Sequence, residues 1–124
     1  MKGLNTAARQ AAKSTHKFRM GAVIVKGGRV VSTGYNVVGH RSQYREWESI
    51  HAEEQAIVKL LRSGSLDLLA GSVLYVSRIN NRGELACSKP CRTCFSLIQS
   101  VGIKKVVFIN ELNGVDHAKV CALP

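Results

Sequence analysis

The sequence predicts one α/β domain, residues 1–124, in which helices pack on the faces of a mixed sheet. Segments of helical character alternate with short β-branched runs along the chain, in the order αββαβαβ. No repeat, linker or low-complexity segment interrupts this order. A chain of 124 residues is long enough to bury one hydrophobic core. Its content of 45% hydrophobic residues is too high for a disordered chain.

Glycine and proline mark where several elements begin and end. Gly27 and Gly28 separate two β-branched runs and indicate a hairpin, Gly64 ends a helix, and Pro90 introduces one. The sequence leaves segment 113–124 undecided, with a short helix as one alternative. The expected elements in chain order are helix 4–18, strands 21–26 and 29–35, a polar loop 36–49, helix 51–62, strand 72–79, helix 91–100 and strand 104–109.

The basic residues are distributed unevenly along the chain. Lys and Arg number 18 against 8 Asp and Glu, and residues 1–45 hold nine of the basic residues and none of the acidic ones. This asymmetry suggests a phosphate-bearing partner, from a nucleotide to a nucleic acid. A solvated face that favours solubility is the alternative explanation.

The sequence contains no sign of export or of membrane insertion. No apolar stretch approaches the roughly 20 residues that a membrane span needs, and the amino terminus lacks the apolar centre of a secretory signal. We therefore expect a soluble, cytoplasmic protein without a membrane partner. In that setting the cysteines are expected to be reduced thiols or metal ligands rather than disulfides. They are Cys87, Cys91, Cys94 and Cys121.

Candidate metal ligands stand where the two internal helices are expected to begin. Cys91 and Cys94 are three residues apart and share one helix face, where the helix dipole favours the thiolate that binds metal. His51 and Glu53 are only two apart, but at the start of a helix both side chains can face a metal that lies just beyond the helix end. Three protein ligands leave tetrahedral zinc an open position for water, as in catalytic sites.

Each motif also has a simpler explanation. His51-Ala52-Glu53 alone is common, since acidic residues are ordinary in a first helical turn. Pro-Cys-x-x-Cys alone is equally typical of half a zinc finger or of a redox pair. In a different class of protein, Cys91 and Cys94 would join His117 and Cys121 in a closed structural zinc site of a nucleic-acid-binding module. That arrangement leaves His51 and Glu53 without a role.

Taken together, the two motifs resemble a known family. His51-Ala52-Glu53 followed by Pro90-Cys91-Arg92-Thr93-Cys94 is similar to the H-x-E and P-C-x-x-C signature of the zinc-dependent cytidine and deoxycytidylate deaminase superfamily, and the likeness extends over residues 21–109. The resemblance implies a three-layer α/β/α sandwich. It implies one catalytic Zn²⁺ on His51, Cys91 and Cys94, with Glu53 as the proton shuttle of a hydrolytic deaminase. Relatives are commonly oligomers, so a homo-oligomer is expected.

The substrate is less well specified than the chemistry. Asn36 matches a family residue near the sugar or base, and the N–H of Ala52 is a candidate for a base carbonyl. His40 and Arg41 are candidates for the phosphate, although their segment departs from the pattern of deoxycytidylate deaminases. A free cytosine nucleotide such as deoxycytidylate is favoured. The alternative is a cytosine or adenine base in single-stranded DNA or in RNA, including tRNA: the positive charge favours it, whereas Lys89 disfavours tRNA adenosine deaminases, which usually carry glutamate there.

Overall fold

A computed structural model describes residues 2–15, 18–38, 49–112 and 114–120. The helices are α1 (Lys2–Ala11), α2 (Ala52–Arg62), α3 (Leu66–Leu69) and α4 (Arg92–Ser100). The strands are β1 (Arg19–Lys26), β2 (Arg29–Tyr35), β3 (Val37–Val38), β4 (Ser49–Ile50), β5 (Val73–Ile79), β6 (Leu85–Ala86), β7 (Lys105–Ile109) and β8 (Val115–Lys119). None of the helices in these ranges is long and apolar enough to cross a bilayer.

The main sheet is mixed, as predicted. Its strands follow the order β2-β1-β5-β7-β8, and β6 pairs with the end of β5. β1 is antiparallel to both β2 and β5, whereas β5 and β7 are parallel and are connected through α4. A parallel pair requires such a crossover, so α4 must lie on one face of the sheet and must begin near the end of β5.

Helices cover both faces of the sheet, which confirms the α/β/α sandwich. α1 lies on one face and turns Leu4, Ala7 and Ala11 inward, at helical spacing. The larger core lies on the other face, under α2, α3 and α4. Its buried residues are Ala22, Ile24, Ala52, Ala56, Ile57, Leu60, Leu69, Leu74, Val76, Ile98, Ile103, Val106 and Phe108.

The predicted hairpin is confirmed, and its turn explains the two glycines. Gly27 has a φ of 59° and Gly28 a φ of 78°, both in the left-handed region that a tight two-residue hairpin turn requires. β1 and β2 pair from Lys26 and Arg29 back to Gly21 and Tyr35. The carboxyl end of β2 therefore lies beside the start of β1, at the same end of the sheet.

The first helix is shorter than its composition predicts. α1 ends at Ala11, and the amides of Lys13 and Ser14 bond carbonyls only three residues back, which closes the helix in a tight turn. The Ser14 hydroxyl then donates to the Asn36 carbonyl oxygen at 2.7 Å. The expected helix 4–18 is therefore wrong at residues 12–15 and at Phe18, because contacts with the strand edge redirect a segment whose local propensity is helical.

The undecided carboxyl-terminal segment contains a strand rather than a helix. The Asn110 side-chain oxygen accepts hydrogen bonds from the amides of Leu112 and Gly114, which turns the chain back after β7. β8 then pairs antiparallel with β7. The short elements α3, β3, β4 and β6 were not expected from the sequence either.

Gly34 allows the start of α2 to lie directly on β2. A Cβ atom on Gly34 would lie 2.3 Å from the Ala52 carbonyl oxygen and 2.8 Å from the Ala56 nitrogen. The Ser32 hydroxyl, two residues earlier on the same face, donates to the Ala56 carbonyl oxygen at 2.7 Å. These contacts set the distance between the sheet and the first turn of α2.

We expect Gly34→Ala to destabilise the protein by about 1–3 kcal/mol, because the helix backbone must shift to make room for the methyl group. Chemical denaturation measures this change. Gly114→Ala is the matched control, since its Cβ atom would meet only the Asn110 side chain, at ordinary contact distance. Equal stability of the two variants would contradict the close approach.

Candidate metal centre and active site

Two zinc-ligand candidates are the residues that immediately precede α2 and α4. His51 is the N-cap of α2, with φ −69° and ψ 151°, and Cys91 is the N-cap of α4, with φ −72° and ψ 167°. In this extended conformation each side chain lies beyond the end of its helix rather than on its flank. Cys94 follows in the first turn of α4, where its amide donates to the Cys91 sulfur at 3.5 Å.

The structure brings these three side chains to one point. The His51 Nδ1 atom lies 3.0 Å from the Cys94 sulfur and 3.9 Å from the Cys91 sulfur. All three candidate ligand atoms lie within 4.8 Å of one another. The imidazole therefore presents Nδ1, and not Nε2, to the two sulfurs.

This donor set fits one zinc ion. Usual zinc bond lengths give edges of about 3.6 Å between nitrogen and sulfur and about 3.8 Å between two sulfurs in a tetrahedral site. The two nitrogen–sulfur distances from His51, 3.0 and 3.9 Å, lie on either side of the expected edge. These three ligands would leave one coordination position of a tetrahedral zinc ion for water, and the exposure of His51 and Cys91 would give solvent access to it.

The electrostatics around Cys94 also favour a cation. Burial raises the pKa of the Cys94 thiol well above its ordinary value, and the nearby Glu53 carboxylate raises it further. The thiol therefore stays protonated unless a positive charge replaces its proton. A zinc ion supplies that charge, and metal binding displaces protons from such thiols.

Glu53 lies in the first turn of α2 beside the cluster and is buried, with 2% of its surface exposed. Burial is the main cause that raises the pKa of this carboxyl, while its own backbone amide, the charge of His51 and the Cys94 thiol lower it. Its Oε1 atom has no hydrogen-bond partner among the described residues. A buried carboxylate oxygen without a partner is costly, so a water or substrate group is expected beside it. The neighbouring Glu54 is exposed.

Ser88 positions the cysteine motif, a role that the sequence did not predict. Its hydroxyl donates to the Val76 carbonyl oxygen at 2.7 Å and accepts from the Ile109 amide at 2.9 Å, while its own amide bonds the Ile109 carbonyl. Ser88 therefore joins β5 to the end of β7 three residues before Cys91. A single serine in a loop has no distinctive sequence signal, because its role arises only when the two strands meet.

The predicted substrate residue Asn36 is buried directly after β2. Its side-chain oxygen accepts from the Met20 amide at 2.8 Å, and its amide nitrogen donates to the Phe18 carbonyl oxygen. Next to it, the Tyr35 amide donates to the Gln55 side chain of α2 at 3.0 Å. These bonds hold Asn36 near the start of α2, and its contact with substrate stays a prediction.

Ala52 is a second predicted substrate residue within the described part of the chain. Ala52 is the first residue of α2 and is buried, and first-turn amides have no partner within the helix. His40 and Arg41 lie outside the described residues. The ends of their segment meet at a short ladder in which Val37 pairs with Ile50.

His117 does not join the metal cluster. It is an exposed residue of β8, paired with Val107 in the sheet. Within the described part of the chain, the group of side chains close enough to hold a metal consists of His51, Cys91 and Cys94. Cys121, the fourth ligand of the alternative structural site, lies outside the described residues.

Comparison with known families agrees with this geometry. Residues 1–110 match the family described as the cytidine and deoxycytidylate deaminase zinc-binding region. The chain therefore belongs to the cytidine and deoxycytidylate deaminase family, whose members are zinc-dependent hydrolases. It carries the His/Cys/Cys ligand set of that family at His51, Cys91 and Cys94.

The curated relatives differ in length. A deoxycytidylate deaminase of Mycobacterium phage D29 is 30% identical over 88% of this chain and 91% of its own length. Two Schizosaccharomyces pombe proteins are longer. The chain spans 33% of a deoxycytidylate deaminase, at 30% identity over 82% of this chain, and 28% of a diaminohydroxyphosphoribosylamino-pyrimidine deaminase, at 39% identity over 96% of this chain.

Solved structures support the same fold. The dCMP deaminase of cyanophage S-TIM5 superposes with a TM-score of 0.68 and 28% identity, over 89% of this chain and 81% of that one. A cytidine deaminase from Burkholderia pseudomallei gives a TM-score of 0.72 at 20% identity, over 96% and 91% of the two chains. At that identity the likeness concerns the fold alone.

We expect His51→Ala to lower the zinc content of the purified protein well below one ion per chain, because it removes one of three ligands. Metal analysis by mass spectrometry measures this. His117→Ala should keep full zinc content. Loss of zinc in His117→Ala with retention in His51→Ala would instead support the closed structural site.

Proposed function

We propose that this chain hydrolytically deaminates a free cytosine nucleotide such as deoxycytidylate, releasing ammonia and leaving the uracil nucleotide. The observation that carries this proposal is the buried Glu53 oxygen, without a partner among the described residues, beside three converging metal ligands. A structural zinc site has no need for a buried carboxylate next to it. A site that moves protons beside a metal does need one.

In this proposal His51, Cys91 and Cys94 hold the zinc ion, and Glu53 handles the protons. When bound, zinc supplies the Lewis acidity that makes water nucleophilic at neutral pH. The Glu53 carboxylate accepts a proton from the attacking water and transfers it to the ring nitrogen. A second proton passes through the same carboxyl to the leaving amine. One C–O bond forms and one C–N bond breaks at the same ring carbon, so water and substrate become ammonia and product.

The burial of Glu53 suits this double role. A raised pKa makes the carboxylate a stronger base toward water, and it lets the protonated form persist closer to neutral pH, where it can donate. Ala52 and Asn36 are the candidate substrate contacts, because one begins α2 and the other follows β2 beside it. The Ala52 N–H would donate to the base carbonyl. The Asn36 amide would contact the sugar or base with the hydrogen-bonding capacity that Met20 and Phe18 leave free.

The names of the relatives support a pyrimidine amine as the reacting group. Among the curated relatives described above, two are named deoxycytidylate deaminase, and another is named for the deamination of a different pyrimidine. We favour deoxycytidylate on this basis. Self-association is a further proposal that rests on the family alone.

Glu53→Gln should retain zinc and fold but lose deaminase activity by at least about 100-fold, because an amide of nearly the same volume cannot accept the proton. Ammonia release from deoxycytidylate measures turnover, and metal analysis measures zinc. Glu54→Gln, one residue along and exposed, is the control and should stay active. Activity retained in Glu53→Gln would exclude the proposed proton transfer.

The salt dependence of binding distinguishes a nucleotide from a polynucleotide substrate. A single strand that contacts several phosphates should bind with a log–log salt slope of about −0.7 per phosphate contact, whereas one nucleotide gives a shallow slope. We expect the shallow slope, together with a small effect of Lys13→Gln in the acid-free first third. A steep slope for an oligonucleotide, with Lys13→Gln and Arg19→Gln weakening its binding equally, would favour the nucleic-acid alternative.

A further inference from the structure

The strand residues beneath the start of α2 form a row across the sheet. Ala22 of β1 lies opposite Gly34 of β2 on one side and Val76 of β5 on the other. Gly34 touches the backbone of the first turn of α2, and Ala22 and Val76 belong to the core under α2 and α4. This row therefore marks the point on the sheet where α2 begins.

The next row on the same face extends past the start of α2. Side chains alternate along a strand, so residues two positions further lie about 7 Å away and face the same side. These residues are Met20, which bonds Asn36, and Arg78, which pairs with Met20 across the β1–β5 ladder. Arg78 also pairs with Ala86, five residues before Cys91. Arg78 thus lies on the site face of the sheet, in the row that contains Asn36.

Arg78 stacks on an aromatic ring and carries a buried donor that has no acceptor among the described residues. Its guanidinium carbon lies 5.1 Å from the centroid of the Phe18 ring, and its Nε atom is buried without a partner there. The side chain lines a cavity of about 130 Å³ at the end of β5, together with Phe18, Ile79, Asn80 and Asn81. None of these lining residues is acidic, so nothing in the described cavity wall neutralises the arginine.

We propose that Arg78 binds the phosphate of the substrate, a pyrimidine mononucleotide, in this cavity. The inference rests on the proposed function and adds the residue that selects a nucleotide over a nucleoside. A guanidinium presents a rigid fork of donors that matches phosphate oxygens, and stacking on Phe18 holds its plane before the ligand arrives. Because Nε is shielded, the terminal nitrogens make the contact. The Arg19 side chain donates to the Asn80 carbonyl oxygen at 2.7 Å and so fixes the rim of the cavity.

The test compares substrates with and without the phosphate. Arg78→Gln should raise the Michaelis constant for deoxycytidylate about 10- to 100-fold, as expected for loss of a charged hydrogen-bonding pair, and should leave the kinetics with deoxycytidine unchanged. Arg78→Lys should recover part of the loss, since it keeps the charge but not the fork. Arg82→Gln, in the exposed turn that follows β5, is the control and should behave as the unaltered protein.

Equal effects of Arg78→Gln on deoxycytidylate and deoxycytidine, or no effect on either, would overturn the proposal. So would an effect seen only with a single-stranded oligonucleotide. Phosphate binding can also be followed without catalysis: inorganic phosphate should raise the unfolding temperature of the zinc-loaded protein and of Arg82→Gln, but not of Arg78→Gln. If no nucleotide or nucleoside is deaminated, the proposed function fails, and this second measurement still decides the role of Arg78.

Discussion

The rest of the structure depends on one constraint: α2 and α4 begin so close together that side chains from both helix starts can bind the same metal ion. His51 and Cys91 each precede a helix, and neither helix alone could hold a metal. The sheet determines where both helices begin. Gly34 brings the first turn of α2 against β2, and Ser88 ties the approach to Cys91 to both β5 and β7. The relative positions of the candidate zinc ligands therefore depend on how closely α2 and α4 pack on the sheet.

The charges of the site are arranged around a cation. Buried Cys94 and Glu53 both have raised pKa values, mainly because burial disfavours their charged forms. Helix starts partly offset this cost, because their free amides and dipoles favour negative charge. A bound zinc ion would change the balance further, because it would take the thiols as ligands and leave the neighbouring carboxyl for the proposed proton transfer.

Two neighbouring rows of residues across the sheet link this centre to the proposed substrate contacts. The row with Gly34 supports α2, and the row beyond it carries Asn36 and Arg78. On this face of the sheet, α2 with Glu53 packs on the first row, and Asn36 and Arg78 lie in the row next to it. Alternation along the strands gives both rows the same orientation, so Glu53 and Arg78 lie on the same side of the sheet.

The sequence by itself determined the main αββαβαβ order, the hairpin turn and the motifs that supply the candidate metal ligands, because these depend on local signals: Gly27-Gly28, Pro90, and two short motifs at helix starts. The tertiary structure decided the features that depend on contacts between distant segments, because local sequence signals do not contain those contacts. The Ala-rich helix ends at Ala11 because Ser14 bonds the strand edge, and Val115–Lys119 is a strand because Asn110 turns it back onto β7. Ser88 and Arg78 acquire their positions only when β1, β5 and β7 pair, since strand pairing brings together residues far apart in the sequence.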